Sequence, residues 1–336
     1  MSESAAGAPI PVNDQDRVDN LRSYAVLDTE PEEAFDRITR LVSALLDMPI
    51  ALVSLVDGER QWFKSRVGLA AAETPRELAF CGYAILDDVV FTVTDAARDD
   101  RFADNPLVIG DPNIRFYAGA PLTTREGFNV GTLCVIDRKP RTLDAGQVSI
   151  LRDFAALALR ELELHKAAAL DGLTGVFNRS GLTAAGQSEV GRARRQGSPL
   201  SLAIIDVDHF KDINDTYGHA GGDIALRRVS MVCQSVVRGQ DVVGRLGGDE
   251  FGVLLPGADA AAAGTVAHRI AAEVRSNELL PAEDRPAITL SIGVASLDAK
   301  EPDLTAAWAR ADSALYQAKE TRDAVVIHGP LPSPGD

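Results

Sequence analysis

The sequence predicts an α+β protein of two domains joined by a helix. Three observations carry this. The chain has 336 residues, a length that favours two domains. Residues 20–145 read as a helix followed by a series of strand-like runs, the order of a mainly antiparallel sheet with helices. Beyond a proline-free stretch, an apolar strand and then a hairpin each end in acidic residues.

The first helix is expected at 31–46. Thr29 is its candidate cap, Pro31 fits a first turn, and Phe35, Ile38, Leu41, Val42 and Leu45 make its apolar stripe. Strand-like runs follow at 50–56, 62–67, 91–94, 114–122 and 130–136. Residues 99–106 are polar and read as a loop over one end of the sheet, a kind of segment from which ligand loops are drawn. Trp62, Phe63, Phe80, Phe116 and Tyr117 read mostly as core.

Residues 144–170 lack proline, and their only glycine, Gly146, is near the start. Val148, Leu151, Ala155, Ala158 and Leu162 step three and four apart, as in a heptad seam, and Ile150, Leu157 and Leu164 add a second line. The first half of this helix is expected to pack on its own domain and the second half to pair across a dimer.

In the second half of the chain, 200–207 is an apolar, β-branched run, expected as a buried strand. Asp206 and Asp208 stand two apart at its end, on one face. Two acids at the end of a buried strand need partners, because unpaired charge is costly to bury. Residues 242–256, VVGRLGGDEFGVLLP, read as a hairpin with Gly247, Gly248, Asp249 and Glu250 at its tip. Paired glycines let backbone approach a ligand, and adjacent carboxylates suit a hard cation.

Composition sets limits. Hydrophobic content is 46% and the formal net charge is −15, from 49 acids against 34 bases. That balance argues against broad binding to nucleic acid or anionic membrane, which want basic surfaces. Cys81, Cys134 and Cys233 are few and odd in number, which fits reduced thiols in the cytosol, with Cys81 and Cys134 expected as buried packing. Neither a leader pattern nor an apolar run of spanning length is present, so a cytoplasmic protein without a membrane span is expected. The residues at the two ends, 1–19 and 329–336, are expected to be disordered tails.

Six separated stretches then carry a resemblance: DGLTGVFNR from Asp171, DVDHFKDINDTYGHAGGD from Asp206, RGQD from Arg238, RLGGDEF from Arg245, TLSIGVA from Thr289 and ADSALYQAK from Ala311. Residues 171–328 resemble the GGDEF domain of diguanylate cyclases, an α/β sandwich of the nucleotidyl cyclase type. Residues 20–145 resemble a GAF sensor domain, through FCGYAIL, IRFYAGAPL and GTLCVIDRKPR among others. Residues 146–170 would then be the signalling linker.

The resemblance implies an enzyme that condenses two GTP into cyclic di-GMP and two pyrophosphates across a homodimer, with Mg²⁺ or Mn²⁺. It implies metal ligation by Asp206, the Val207 carbonyl, Asp249 and Glu250, with Asp206, Asp249 and Glu250 as the catalytic acids. Phe210, Lys211 and Gly248 would meet phosphates, Asn214 and Asp223 would read guanine, and Lys319 would meet the terminal phosphates. Arg322 stands one residue early for the family's phosphate-binding arginine, and the glycine of that motif is missing; on a helix this turns the side chain by about 100°. Arg238 and Asp241 match an inhibitory site for the product. Asp223 disfavours a mixed cyclic-dinucleotide synthase. The GAF half would take a small molecule of unknown identity; with no histidine between residues 20 and 160, a histidine-ligated haem is not expected. The alternative is a catalytically silent receptor for GTP or cyclic di-GMP.

Overall fold

The computed structural model describes residues 7–276, 288–298 and 301–328. The chain forms two compact units, divided between Ala167 and Ala168.

The first unit contains α1 (Asp14–Arg22), α2 (Glu33–Leu46), β1 (Ile50–Val56), β2 (Arg60–Val67), β3 (Glu73–Pro75), α3 (Cys81–Ala84), β4 (Phe91–Val93), α4 (Pro106–Ile109), β5 (Phe116–Thr123), β6 (Asn129–Asp137) and most of α5 (Ala145–Ala169). Its six strands make one antiparallel sheet in the order β3-β2-β1-β6-β5-β4. Both faces of β1 are covered, which is why the strand is a nearly unbroken apolar run. Ala51, Val53 and Leu55 join a core with Phe35, Ile38, Val42 and Leu46 of α2 and Leu151, Ala155, Ala158 and Leu162 of α5. Ile50, Leu52 and Val56 face a second core with Phe80, Cys81, Phe102, Tyr117 and Cys134.

Four expectations change here. Residues 14–19, assigned to a tail, belong to α1, in which Arg17, Val18 and Leu21 are buried. Ion pairs of Asp14 with Arg17 at 2.8 Å and Arg76 at 2.6 Å anchor that helix, an anchorage that local composition does not register. Residues 1–6 and 329–336 lie outside the described residues. Thr29 does not cap α2; its hydroxyl donates to the Val26 carbonyl and accepts from Lys64 Nζ at 2.6 Å, and the helix starts at Glu33 without a side-chain cap. Leu41 and Leu45 are exposed and Leu46 takes the inward place, because the buried line runs through 35, 38, 42 and 46. Leu162, expected in a dimer seam, lies in the core of its own unit, while Leu157 and Leu164 are exposed.

The second unit contains β7 (Phe177–Asn178), α6 (Arg179–Gln196), β8 (Leu200–Val207), α7 (Phe210–Val236), β9 (Val242–Gly247), β10 (Glu250–Pro256), α8 (Ala260–Ser276), β11 (Leu290–Ser296), α9 (Thr305–Thr321) and β12 (Ala324–His328). The sheet order is β12-β11-β8-β10-β9-β7, antiparallel at its centre and parallel at both edges. Residues 203, 205 and 207 of β8 face a core built with α7 and α8. The opposite face holds α6 and α9 close, through glycines. At Gly244 and Gly252 a Cβ would run into Leu182 of α6. At Gly293 it would overlap the backbone of α9. The unit is thus an α/β sandwich whose central strand delivers Asp206 to one end of the sheet. Among the described residues, no helix is long and apolar enough to cross a membrane.

Candidate active site

The hairpin of β9 and β10 turns through Gly248 and Asp249. Gly247 at φ 141° and Gly248 at φ 55° both lie where side chains other than glycine are strained, so the glycine pair is a backbone requirement of this tip. Arg245 braces it. The guanidinium donates to the Gly248 carbonyl at 2.7 and 3.0 Å and to Asp171 at 3.3 Å. Asp171 in turn accepts from the Thr174 amide and hydroxyl. Burial works against the Asp171 charge, yet the Thr174 and Arg245 hydrogen bonds hold its carboxyl below the usual range. Arg245→Gln is expected to lower stability by about 1–2 kcal/mol through the lost charged hydrogen bonds. It should also loosen the acidic tip, whose Gly248 carbonyl Arg245 holds. Denaturant midpoints and hydrogen exchange at the 247–250 amides, measured on one preparation, check both.

The tip folds against the end of β8, where the Val207 amide donates to the Asp249 carbonyl at 3.3 Å. Glu250 lies directly opposite Asp206 in the antiparallel register, a like-charge cross-strand pair that is unfavourable by itself. Lys319 Nζ on α9 sits 2.6 Å from Asp206 Oδ2. Burial pushes the Asp206 carboxyl above the usual range, with Asp249 and Glu250 adding to the rise and Lys319 opposing it. The Lys319 ammonium loses solvation, but the three carboxylates hold its pKa above the ordinary value. No hydrogen bond or ion pair among the described residues engages the Asp249 or Glu250 side chain. Three carboxylates therefore share one ammonium, an arrangement with room for more positive charge. It is not an all-protein metal cage: among the described residues, no three His, Cys, Asp or Glu side chains converge on one metal position.

Asp208 has a different role from its neighbour two residues earlier. Its carboxylate is buried and accepts from the Thr289 and Ser291 hydroxyls at 2.7 Å and from the Asp323 amide at 2.9 Å. It ties the chain leaving α9 to the end of β8, and so helps to set Lys319 beside Asp206.

α7 begins beside this cluster. His209 precedes it in a left-handed conformation, and no side chain caps its first turn, so the amides of Phe210 and Lys211 point out of the helix end. Lys211 is exposed. Arg322 leaves α9 in the left-handed region and places Nη1 2.8 Å from His209 Nε2. The helical-rotation argument does not apply to it, because the helix has already ended. Asn214 lies against Gly222, where a Cβ would overlap Asn214 Oδ1 and approach Phe210 Cζ to 3.1 Å. Asp223 follows, half-buried, beyond a break in helical geometry at Gly218.

Arg238 and Asp241 lie at the far end of α7, away from these groups. The Asp241 carboxylate accepts from the Arg238 amide at 2.8 Å. Burial raises its pKa, while Arg238, Arg269 and Arg192 pull it back. Arg192 on α6 and Arg269 on α8 reach this turn only through tertiary packing, and their spacing in sequence carries no signal. The Arg245–Asp171 brace and the Asp208 anchor were likewise visible only as motif letters.

The sheet and its acid-tipped hairpin define a GGDEF-type unit. Residues 168–324 match the family model "Diguanylate cyclase, GGDEF domain" and residues 30–162 match "GAF domain". The chain belongs to the family that joins a GAF domain to a GGDEF domain. It is 42% identical over 206 residues to a cyclic di-GMP phosphodiesterase of Pseudomonas aeruginosa, covering 60% of this chain and 34% of that protein. It is 40% identical over 173 residues to the diguanylate cyclase DosC of Escherichia coli (strain K12), covering 51% and 36%. The chain thus spans well under half the length of these curated relatives. The GGDEF domain of DgcB from Caulobacter crescentus, solved in complex with c-di-GMP, is similar at 34% identity and a TM-score of 0.45, covering 47% of this chain and 92% of that one.

Proposed function

We propose that the chain is a diguanylate cyclase, joining two GTP into cyclic di-GMP with release of two pyrophosphates. The observation that carries the reading is the cluster of Asp206, Asp249 and Glu250 around the single ammonium of Lys319, next to an uncapped helix N-terminus. Asp206, Asp249 and the Val207 carbonyl would hold Mg²⁺, or Mn²⁺, which supplies charge neutralisation at the reacting phosphate. A hard cation of this type wants a few carboxylate oxygens and completes its shell with phosphates, so an incomplete protein cage fits it.

Each subunit of a homodimer binds one GTP, and the 3′-hydroxyl of one attacks the α-phosphate of the other. The exposed amides of Phe210 and Lys211, the backbone of Gly248, and the Lys319 and Arg322 cations bind the phosphate chain. Asn214 and Asp223 read the guanine edge; a carboxylate accepts from its N–H pair, which adenine does not offer. The contact between Arg322 and His209 supports turnover over a silent receptor, since it returns that cation to the phosphate end of α7. The Arg238–Asp241 turn, with Arg192 and Arg269 near, is a product-binding inhibitory site. The GAF domain regulates the cyclase through a small ligand in the cytoplasm.

The test is direct. The purified full-length protein, given GTP and Mg²⁺, should form cyclic di-GMP by chromatography, and Asp249→Ala should not. GTP binding without product from the unaltered protein, with either metal, would leave the receptor reading instead.

A further inference from the structure

The first unit buries a sulfur pair that core packing alone does not explain. Cys81 opens the one-turn helix α3, and Cys134 sits in the middle of β6; their Sγ atoms are 3.9 Å apart. Both side chains are fully buried. Around Cys81 Sγ stand two hydroxyls in hydrogen-bonding range, Tyr117 at 3.2 Å and Thr132 at 3.1 Å. The Tyr117 phenol reaches the sulfur because residue 119, its neighbour but one on β5, is glycine; a Cβ there would overlap the phenolic oxygen. Ser54 lies directly across from Thr132 on β1. Its hydroxyl is buried and makes no hydrogen bond among the described residues, which is costly for a polar group inside a core.

An apolar core needs none of this. Hydroxyls converging on one sulfur favour its anionic form. Burial opposes the Cys81 thiolate, but the Cys134 thiol and the nearby Ser54, Thr132 and Tyr117 hydroxyls favour the charge and bring its pKa below the ordinary value. Cys134 moves the other way, held as the thiol by its hydrogen bond to Cys81 and by burial. One sulfur is set up as a nucleophile and the other as its protonated neighbour. Cys233 in the second unit shows the contrast. It is equally buried, has no such hydroxyls, and burial pushes it up to about 12.

We propose that Cys81 and Cys134 are a redox-active dithiol that hydroperoxides oxidise to an intrachain disulfide. The Cys81 thiolate attacks one peroxide oxygen and the O–O bond breaks. Cys81 becomes a sulfenic acid, and the departing oxygen takes up the proton the thiol had released, leaving as water or an alcohol. The Cys134 thiol then attacks the sulfenic sulfur. The S–S bond forms, and the sulfenic oxygen leaves as water with the Cys134 proton. Two electrons pass from the sulfur pair to the peroxide. The free Ser54 hydroxyl is available to the sulfenic oxygen in between. Closing the pair to disulfide length brings the sulfurs about 2 Å nearer. The short helix α3, which carries Cys81 on the sheet surface, is the part that shifts, since Cys134 is fixed in a central strand. Hydrogen peroxide, near water in size, is the member of this class that fits a closed interior.

The full-length protein is treated with hydrogen peroxide under native conditions, quenched with catalase, denatured, alkylated and peptide-mapped. Two of the three thiols should be lost, in one linked peptide containing Cys81 and Cys134 that dithiothreitol reverses, with Cys233 alkylated throughout. In Cys134→Ser, dimedone should trap a sulfenic acid at Cys81. Full alkylation of both cysteines after peroxide treatment overturns the proposal. So does loss of Cys233 at the same rate, which would mean that oxidation follows unfolding. Because the unaltered protein gives the primary result, a variant that fails to fold does not obscure it.

Discussion

Asp206→Asn is expected to reduce cyclic di-GMP formation by about a thousandfold or more, the scale of losing a metal ligand in phosphoryl chemistry, while the nucleotide-free protein melts no lower than before. The activity half follows from the proposed metal site. The stability half follows from the structure alone. The Asp206 carboxyl is raised by burial, Asp249 and Glu250, so the folded state prefers it neutral, despite Lys319. A carboxyl of this kind contributes stability that is fully present below its unfolded pKa and is lost as pH rises through its raised folded value. At neutral pH the charge therefore weakens the unit, and asparagine removes it. Acidification should stabilise the unaltered protein relative to Asp206→Asn while lowering its turnover. Mg²⁺ should raise the melting temperature of the unaltered protein more than that of the variant. Thermal melts with and without metal, paired with product assays, test the split; a variant that loses activity and melts well below the parent would mean that Asp206 is a structural carboxylate.

Gly293→Ala is expected to destabilise the second unit by about 3 kcal/mol, the upper end for overpacking a core. Gly293 sits in β11 where α9 crosses it. An added Cβ would overlap the Ala311 carbonyl oxygen and the Leu315 amide, with Leu315 Cα at 2.8 Å. These are backbone atoms of a helix and have no rotamer to escape into. The helix must lift, and Lys319, two turns after Ala311, would lift with it from Asp206. Turnover should fall further than the folded fraction accounts for. Denaturant unfolding should show an early transition for the second unit and an unchanged one for the first. A single unshifted midpoint would show that the α9–β11 contact yields cheaply.

How much of this was readable beforehand depended on the range of the interaction. β1 and β8 fall on the expected residues because both faces are covered, so burial shows directly as an apolar run. The 242–256 hairpin was legible because its glycines answer a local backbone demand. Leu41, Leu45 and Leu46 were not separable, since one helix offers several leucines near the same face and only the sheet beneath selects among them. Thr29 was a plausible cap by composition, but Lys64, 35 residues later, claims its hydroxyl. Asp206 and Asp208 look alike in sequence. One meets the Lys319 ammonium of α9 and the field of two carboxylates from the β9–β10 hairpin, the other the Thr289 and Ser291 hydroxyls and the Asp323 amide, all distant in sequence. Cys81 and Cys134 are 53 residues apart, and their meeting is wholly a product of the fold.

In the proposed regulation, the course of α5 limits how a stimulus in the first unit can travel. Four of its side chains are stitched into that unit's core, and the same helix runs on through Ala168 and Ala169. Rolling it to bury Leu157 and Leu164 would withdraw Leu151 and Leu162 from the core, at about 2 kcal/mol for each leucine exposed. The helix is therefore no sliding rod with a free choice of register. It is a lever welded to its sheet, and any push it delivers begins as a movement of the whole wall to which it is fixed.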